Sequence, residues 1–177
     1  MKLSIMVPLL YCWTAEKVFK KMDNFEIKID KDCLWYYKGN HMFRKDILCI
    51  FFQHLKIDEC GKYLIELGSE RCYLNVEDTA FVVVSVHKTK MTDNGQVQIE
   101  IILNDDCCEI LEMNSLYSGK DNILYCSVKE GRFTARFSRK SYYQLAEFIE
   151  QTENGASFFI NLNGEKYFIN ETQISEA

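Results

Sequence analysis

Sliding the 177-residue chain against itself by ninety-five positions brings Arg44-Lys45 onto Arg139-Lys140, Ile65 onto Ile160, Leu67 onto Leu162, Glu70 onto Glu165 and Asn75 onto Asn170 without a gap. Arg71 then meets Lys166, Tyr73 meets Phe168, Leu74 meets Ile169, and Asp46 meets Ser141, both good residues for starting a helix. These matches coincide with one order of amphipathic segment, glycine stop and hairpin, so the chain reads as a duplicated unit. The duplication constrains the fold more than any other feature. Each copy is a small antiparallel sheet with one amphipathic helix, and the class is α+β.

The local patterns agree. Phe25 to Ile29 alternates apolar and polar as a half-buried strand does, Asp30-Lys31-Asp32 turns the chain, and Cys33 to Tyr37 is a second strand. Gly39-Asn40 turns into a short third strand over His41 to Phe43. From Arg44 to about Lys56, residues Ile47, Leu48, Phe51, Phe52 and Leu55 recur at the three-and-four spacing of one buried helix face, and Gly61 closes the unit. Lys62 to Leu67 and Arg71 to Val76 are strands joined through Gly68-Ser69. Phe81 to Met91 and Gln96 to Leu103 flank Thr92-Asp93-Asn94-Gly95, whose Asn-Gly marks the longest hairpin. A weak strand follows at Cys108 to Met113, then a loop over Ser118 to Asn122, and a hairpin of Ile123 to Val128 and Arg132 to Phe137. A second helix over about Arg139 to Gln151 carries Tyr142, Leu145, Ala146 and Ile149 on one face. Ser157 to Leu162 and Lys166 to Asn170 make the last hairpin through Asn163-Gly164. The organisation expected is an extension over 1–21, an N-terminal α+β unit over 22–80, a C-terminal α+β unit with the long hairpin over 81–171, and a loose tail over 172–177.

Lys2 and the apolar run Leu3 to Trp13 have the length of a secretory core, roughly 7 to 15 residues, but Pro8 interrupts it and Tyr11-Cys12 lacks the small residues of a cleavage site. The competing reading, a start at Met22, is the one favoured. With 47% hydrophobic residues the chain can bury a core. Its net charge of -5 works against non-specific nucleic-acid binding, which needs a positive field. Nothing in the sequence points to a membrane.

Eight cysteines are scattered, with no CxxC pair and no Cys/His ligand spacing, so neither a zinc site nor any other metal or cofactor is expected. Cys72 and Cys126 alternate with apolar residues, and most of the eight read as buried thiols in a reducing, cytoplasmic compartment. No serine or cysteine is marked as a nucleophile, His41, His54 and His87 stand far apart, and no phosphate-cradling glycine loop occurs. The expectation is a protein that is not an enzyme.

The segments Trp35-Tyr36-Tyr37-Lys38-Gly39, Arg44, Phe51-Phe52, Gly61-Lys62-Tyr63-Leu64, Glu70-Arg71 and Val76-Glu77-Asp78-Thr79-Ala80-Phe81 resemble a bacterial domain family of unknown function. The likeness continues through Leu103 to Asp106, Tyr125, Gly131, Ala135-Arg136 and Tyr142-Tyr143, and so covers roughly Phe25 to Ile169. Ala80 stands where that family has proline, and this chain is richer in cysteine and lysine. The resemblance implies a duplicated β-rich core, a C-terminal half superficially like a pleckstrin-homology domain, a site between the halves for a nucleotide-like ligand, and a role in signal transduction.

Candidate residues divide between functional and structural readings. The basic pairs at Arg44 and Arg139 stand at helix starts, where they would hold an anion, or else pair with Glu70 and Glu165. Glu77-Asp78 has no counterpart in the second copy, and would bind ribose hydroxyls or Mg²⁺, or else cap a turn. Trp35 and Tyr143 would stack on a planar ligand, or else pack in a core. The expected ligand-binding set is therefore Arg44, Glu77, Asp78, Arg136, Trp35 and Tyr143, holding a small anionic or nucleotide-like ligand. The alternative is a protein-interaction adaptor that offers a sheet edge or an aromatic patch to a protein partner.

Overall fold

The structure, a computed structural model, describes residues 26–91 and 95–171. The expectations for the 1–21 extension, for Phe25, for the Thr92-Asp93-Asn94 turn and for the tail beyond Glu171 lie outside the described residues. The chain divides into two compact units between Asp78 and Thr79.

In the first unit the strands are β1 (Ile27–Ile29), β2 (Trp35–Tyr37), β3 (Asn40–His41), β4 (Leu55–Ile57), β5 (Tyr63–Leu67) and β6 (Glu70–Val76), with helix α1 (Lys45–Gln53) between β3 and β4. They form one six-stranded sheet in the order β3-β2-β1-β6-β5-β4. Neighbours are antiparallel except the central pair, β1 with β6, where Lys28 lies opposite Asn75. The turns follow from their residues: Asp30 Oδ1 accepts the N–H groups of Asp32 and Leu34, Asp58 Oδ1 those of Cys60 and Lys62, and Gly68 takes φ 63°. Ile27, Ile29, Phe51 and Ile65 are fully buried, and each contributes about 1.5–3 kcal/mol of burial.

The second unit contains β7 (Phe81–Lys90), β8 (Val97–Leu103), β9 (Cys108–Ile110), β10 (Tyr117–Ser118), β11 (Leu124–Val128), β12 (Phe133–Phe137), helix α2 (Arg139–Ala146), β13 (Ile149–Gln151), β14 (Phe158–Leu162), β15 (Glu165–Phe168) and β16 (Asn170–Glu171). A seven-stranded sheet runs β16-β10-β11-β12-β7-β8-β9, and β13-β14-β15 form a separate three-stranded sheet. The tip of the last hairpin is pinned by Asn163, whose amide exchanges two 2.8 Å hydrogen bonds with the backbone of Val97.

Residues 117–171 of the second unit repeat the connectivity of the first, a three-stranded meander, a helix and a second meander whose end returns parallel to the first strand of the repeat, with β7–β9 added ahead of them. Strand pairing shows that the repeat does not keep one offset. Lys28 and Tyr117 each face the matched asparagine of the returning strand, Asn75 and Asn170, which sets β1–β2 against β10–β11 at an offset of 89. The two turns are closed by the same bond, Asp30 N–H to Leu34 O and Gly119 N–H to Ile123 O. His41 opposite Tyr36 and Arg136 opposite Tyr125 restore 95, because the β11–β12 hairpin is six residues longer. Through the helix the offset is 94: the extended residues preceding each helix are Arg44 and Ser138, and Leu55 faces Ile65 as Ile149 faces Ile160. Arg44 therefore stands against Ser138, and Lys45 against Arg139.

Three expectations are corrected. Helix α1 ends at Gln53 rather than near Lys56, and α2 ends at Ala146 rather than Gln151. Leu55 and Ile149 continue the helical spacing, but each is the first residue of a strand held by the following hairpin, and pairing outweighs periodicity. Tyr117–Ser118, in part expected as loop, forms a strand between β11 and β16. Of the seven described cysteines only Cys33, Cys72 and Cys126 are buried, whereas Cys49, Cys60, Cys107 and Cys108 are exposed. Burial pushes the Cys126 thiol up to about 12.

Candidate functional site

Helix α2 is seated on β7 by a bulge in that strand between Val83 and Ser85. There the Val83 carbonyl accepts from Ser138 N–H at 3.0 Å and from the buried Ser141 hydroxyl at 2.6 Å. Ser138 caps the helix by accepting the Ser141 N–H, and Gln144 Oε1 accepts the Val86 N–H at 3.0 Å. These bonds fix which way the opposite face of α2 looks. That face, with β12 and the turn before β11, makes a cleft of about 330 Å³ lined by Asp121, Asn122, Arg136, Arg139, Tyr142 and Tyr143 among others. Asp121 and Asn122 both take left-handed φ, 60° and 58°, which their short polar side chains tolerate.

A larger cavity of about 510 Å³ adjoins it and shares Asn122, Leu124 and Tyr142. Its other walls are Ser118, Ala146, Ile149, Gln151, Phe158 and Ile169, and none of its lining side chains is charged. The smaller cleft carries two guanidinium groups against one carboxylate, a local net charge of +1 in a chain of net -5. It can hold an anion by charge-assisted hydrogen bonds and a planar group against Tyr142 or Tyr143, whose rings meet edge to face at 5.7 Å.

The expected site residues divide between the two units. Arg136 and Tyr143 line the cleft of the second unit together. Arg44, Trp35, Glu77 and Asp78 belong to the first. Arg44 is exposed and paired with Asp46 two residues on, Nε to Oδ1 at 3.2 Å, rather than with Glu70, and Glu165 accepts the Tyr167 hydroxyl. Trp35 as a stacking surface is corrected: it is 2% exposed, with its indole against Phe51 and Phe52, because residue 35 falls on the inward side of β2. Glu77 closes the first unit's turn by pairing with Lys28 at 2.6 Å and accepting the Lys31 N–H at 2.9 Å. Asp78 follows it, half-buried, at the unit boundary. Asn122, Leu124 and Ala146 were missed by sequence reasoning. A uniform offset hides their relation to the first unit's core.

The hydrogen bond from Lys28, followed by that from Lys31 N–H, holds the Glu77 carboxyl below its ordinary value. A carboxyl so lowered stabilises the fold above the unfolded-state value, and that contribution is lost as pH falls through the folded-state value. Carbon-detected NMR titration is expected to show Glu77 titrating below the ordinary glutamate value of 4.5, and Lys28→Met should raise it.

No group of three or more potential metal ligands occurs among the described residues, and none of their helices is long and apolar enough to cross a membrane.

Fold and cleft together define a two-unit α+β protein, mostly β-sheet, with a polar-mouthed cavity in its second unit. Its fold is that of solved bacterial proteins of unknown function. It is similar to a DUF1285 family protein from Silicibacter pomeroyi DSS-3, with 20% identity, a TM-score of 0.69, and coverage of 83% of this chain and 80% of that one. It is also similar to a DUF1285 family protein from Shewanella baltica OS155, with 15% identity, a TM-score of 0.56, and coverage of 69% and 91%. No family model and no curated protein matches the chain. The bacterial family resemblance read from the sequence is met at the level of the fold.

Proposed function

We propose that the protein is a non-catalytic, cytoplasmic module that binds a small anionic ligand in the second unit and serves signal transduction. The single observation carrying this reading is that Arg136, Arg139, Tyr142 and Tyr143, from two different elements, line one cleft that opens onto a larger uncharged cavity. Free thiols at Cys49, Cys60, Cys107, Cys108 and Cys126 support a reducing compartment. Isothermal calorimetry against inorganic phosphate, carboxylates and nucleotides tests it. At least one class is expected to bind, and Arg136→Gln or Arg139→Gln to weaken it about tenfold, the value of one lost hydrogen bond to a charged group. Wild-type affinity in both folded variants would overturn the assignment of the cleft.

The second reading is a protein-interaction adaptor, which goes with the pleckstrin-homology-like resemblance of the C-terminal half. Its support is β9, an edge of the seven-stranded sheet, where Ile110 is 62% exposed. Silence across the whole anion panel, with capture of an extended peptide that Ile110→Lys abolishes, would put this reading first.

A further inference from the structure

We infer that the larger cavity of the second unit is the space that the first unit fills with its own aromatic core, and that it receives the ring of a small aromatic carboxylate. The inference rests on the small-anion reading above and names the ligand class.

The structural offsets carry the argument. Strand pairing sets Leu124 where the first unit has Trp35, and the helix starts set Ala146 where it has Phe52. In the first unit those two rings pack edge to face with centroids 5.1 Å apart, and both are buried. Leucine and alanine supply neither ring. Other walls change from apolar to polar at matched positions. Ser118 stands for the fully buried Ile29, Asn122 for the buried Cys33, and Gln151 for Ile57. Cys33 and Asn122 even share the left-handed backbone, at φ 60° and 58°. The first unit's ring pair is close-packed as protein interiors are, whereas the matched place in the second unit is a solvent-open cleft of about 510 Å³, with Phe158 in its wall 50% exposed. Apolar walls with a few hydrogen-bonding groups are the composition of a small-molecule pocket.

The chemistry of the occupant follows from what is missing and what adjoins it. The lost pair is aromatic, and Tyr142 and Phe158 remain in the wall as ring partners. The cavity itself carries no charge, whereas the cleft sharing Asn122, Leu124 and Tyr142 with it has a net charge of +1. That balance suits one carboxylate, held by a guanidinium, better than the several charges of a nucleotide phosphate chain.

The test uses indole-3-acetate and phenylacetate as probes, with AMP, ATP and uncharged indole for comparison, on the full chain. The aromatic acids are expected to bind, to shift the methyl resonances of Leu124 and Ala146, and to lose about tenfold in affinity in Arg136→Gln while indole loses little. Leu124→Trp/Ala146→Phe, which restores the sister unit's ring pair, is expected to raise Tm and abolish binding. If that variant misfolds, the methyl shifts in the wild-type chain decide alone. A folded, refilled variant that binds the acids as before, or acids that leave both methyls unmoved, would overturn the proposal. Binding of nucleotides alone would overturn it and leave the small-anion reading intact; no binding by any anion would end both.

Discussion

Trp35→Ala is expected to destabilise the protein by about 3–5 kcal/mol, the cost of removing a large aromatic side chain from a packed interior. Trp35 is 2% exposed and touches Phe51 at 6.0 Å and Phe52 at 5.1 Å between ring centroids, so its loss opens a cavity beside two other buried rings. Urea denaturation followed by circular dichroism measures the loss. Trp35→Phe is the informative control. It keeps a ring against Phe52 and removes an indole N–H that has no hydrogen-bond partner among the described residues, so part of the lost packing is offset by relief of an unsatisfied donor. A cost for Trp35→Ala below about 1 kcal/mol would place the indole at the surface rather than in the core.

Lys129→Met is the second large effect, expected to cost about 3–5 kcal/mol. Lys129 Nζ lies 2.6 Å from Asp105 and 3.1 Å from Glu109, with side-chain exposures of only 17%, 8% and 24% for the three. Its ammonium also sits 5.4 Å from the centroid of the buried Phe81 ring. Removing the cation strands two carboxylates in a poorly hydrated place, which is costlier than the pair is worth. Asp105→Asn in the Lys129→Met background should therefore recover part of the loss. Burial by itself lowers the affinity of Lys129 for its proton, but the hydrogen bond and charge of Asp105, followed by Glu109, override it and raise the folded-state value above 10.5. A raised value means that the stabilisation is complete below the unfolded-state value and disappears as pH climbs through the folded-state one. Denaturation midpoints should hold through neutral pH and fall in the alkaline range above 10.5 in the wild-type chain, with a smaller fall in Lys129→Met.

The hairpins were legible because their determinants are local. Two-residue alternation and turn residues such as Gly68 and Asn163-Gly164 place β5–β6 within one residue, and β14–β15 within two, of where they stand. Part of the cleft was legible as well: Arg136 and Tyr143 were candidates from the sequence, and both line it. Arg44 was a weaker guide, because a guanidinium that can reach a carboxylate two residues away pairs with it, and no sequence offset reveals that. Trp35 misled for a related reason. Alternation puts Trp35 and Tyr37 on one face of the strand and Tyr36 on the other, but which face is inward depends on the sheet that β2 joins.

The sequence by itself determined that this chain is built from two similar α+β units, since repeated residues, turn chemistry and periodicity are properties of neighbours along the chain. Only the tertiary structure decided where the repeat slips, from 89 through 95 to 94 and back, because those slips are set by which residues face one another across strands and at helix ends. The slip turns Trp35 and Phe52 into the counterparts of Leu124 and Ala146, and a packed core in one unit into a cavity in the other. Volume shared between side chains distant in sequence has no one-dimensional signature, which is why the duplication was visible before the site was.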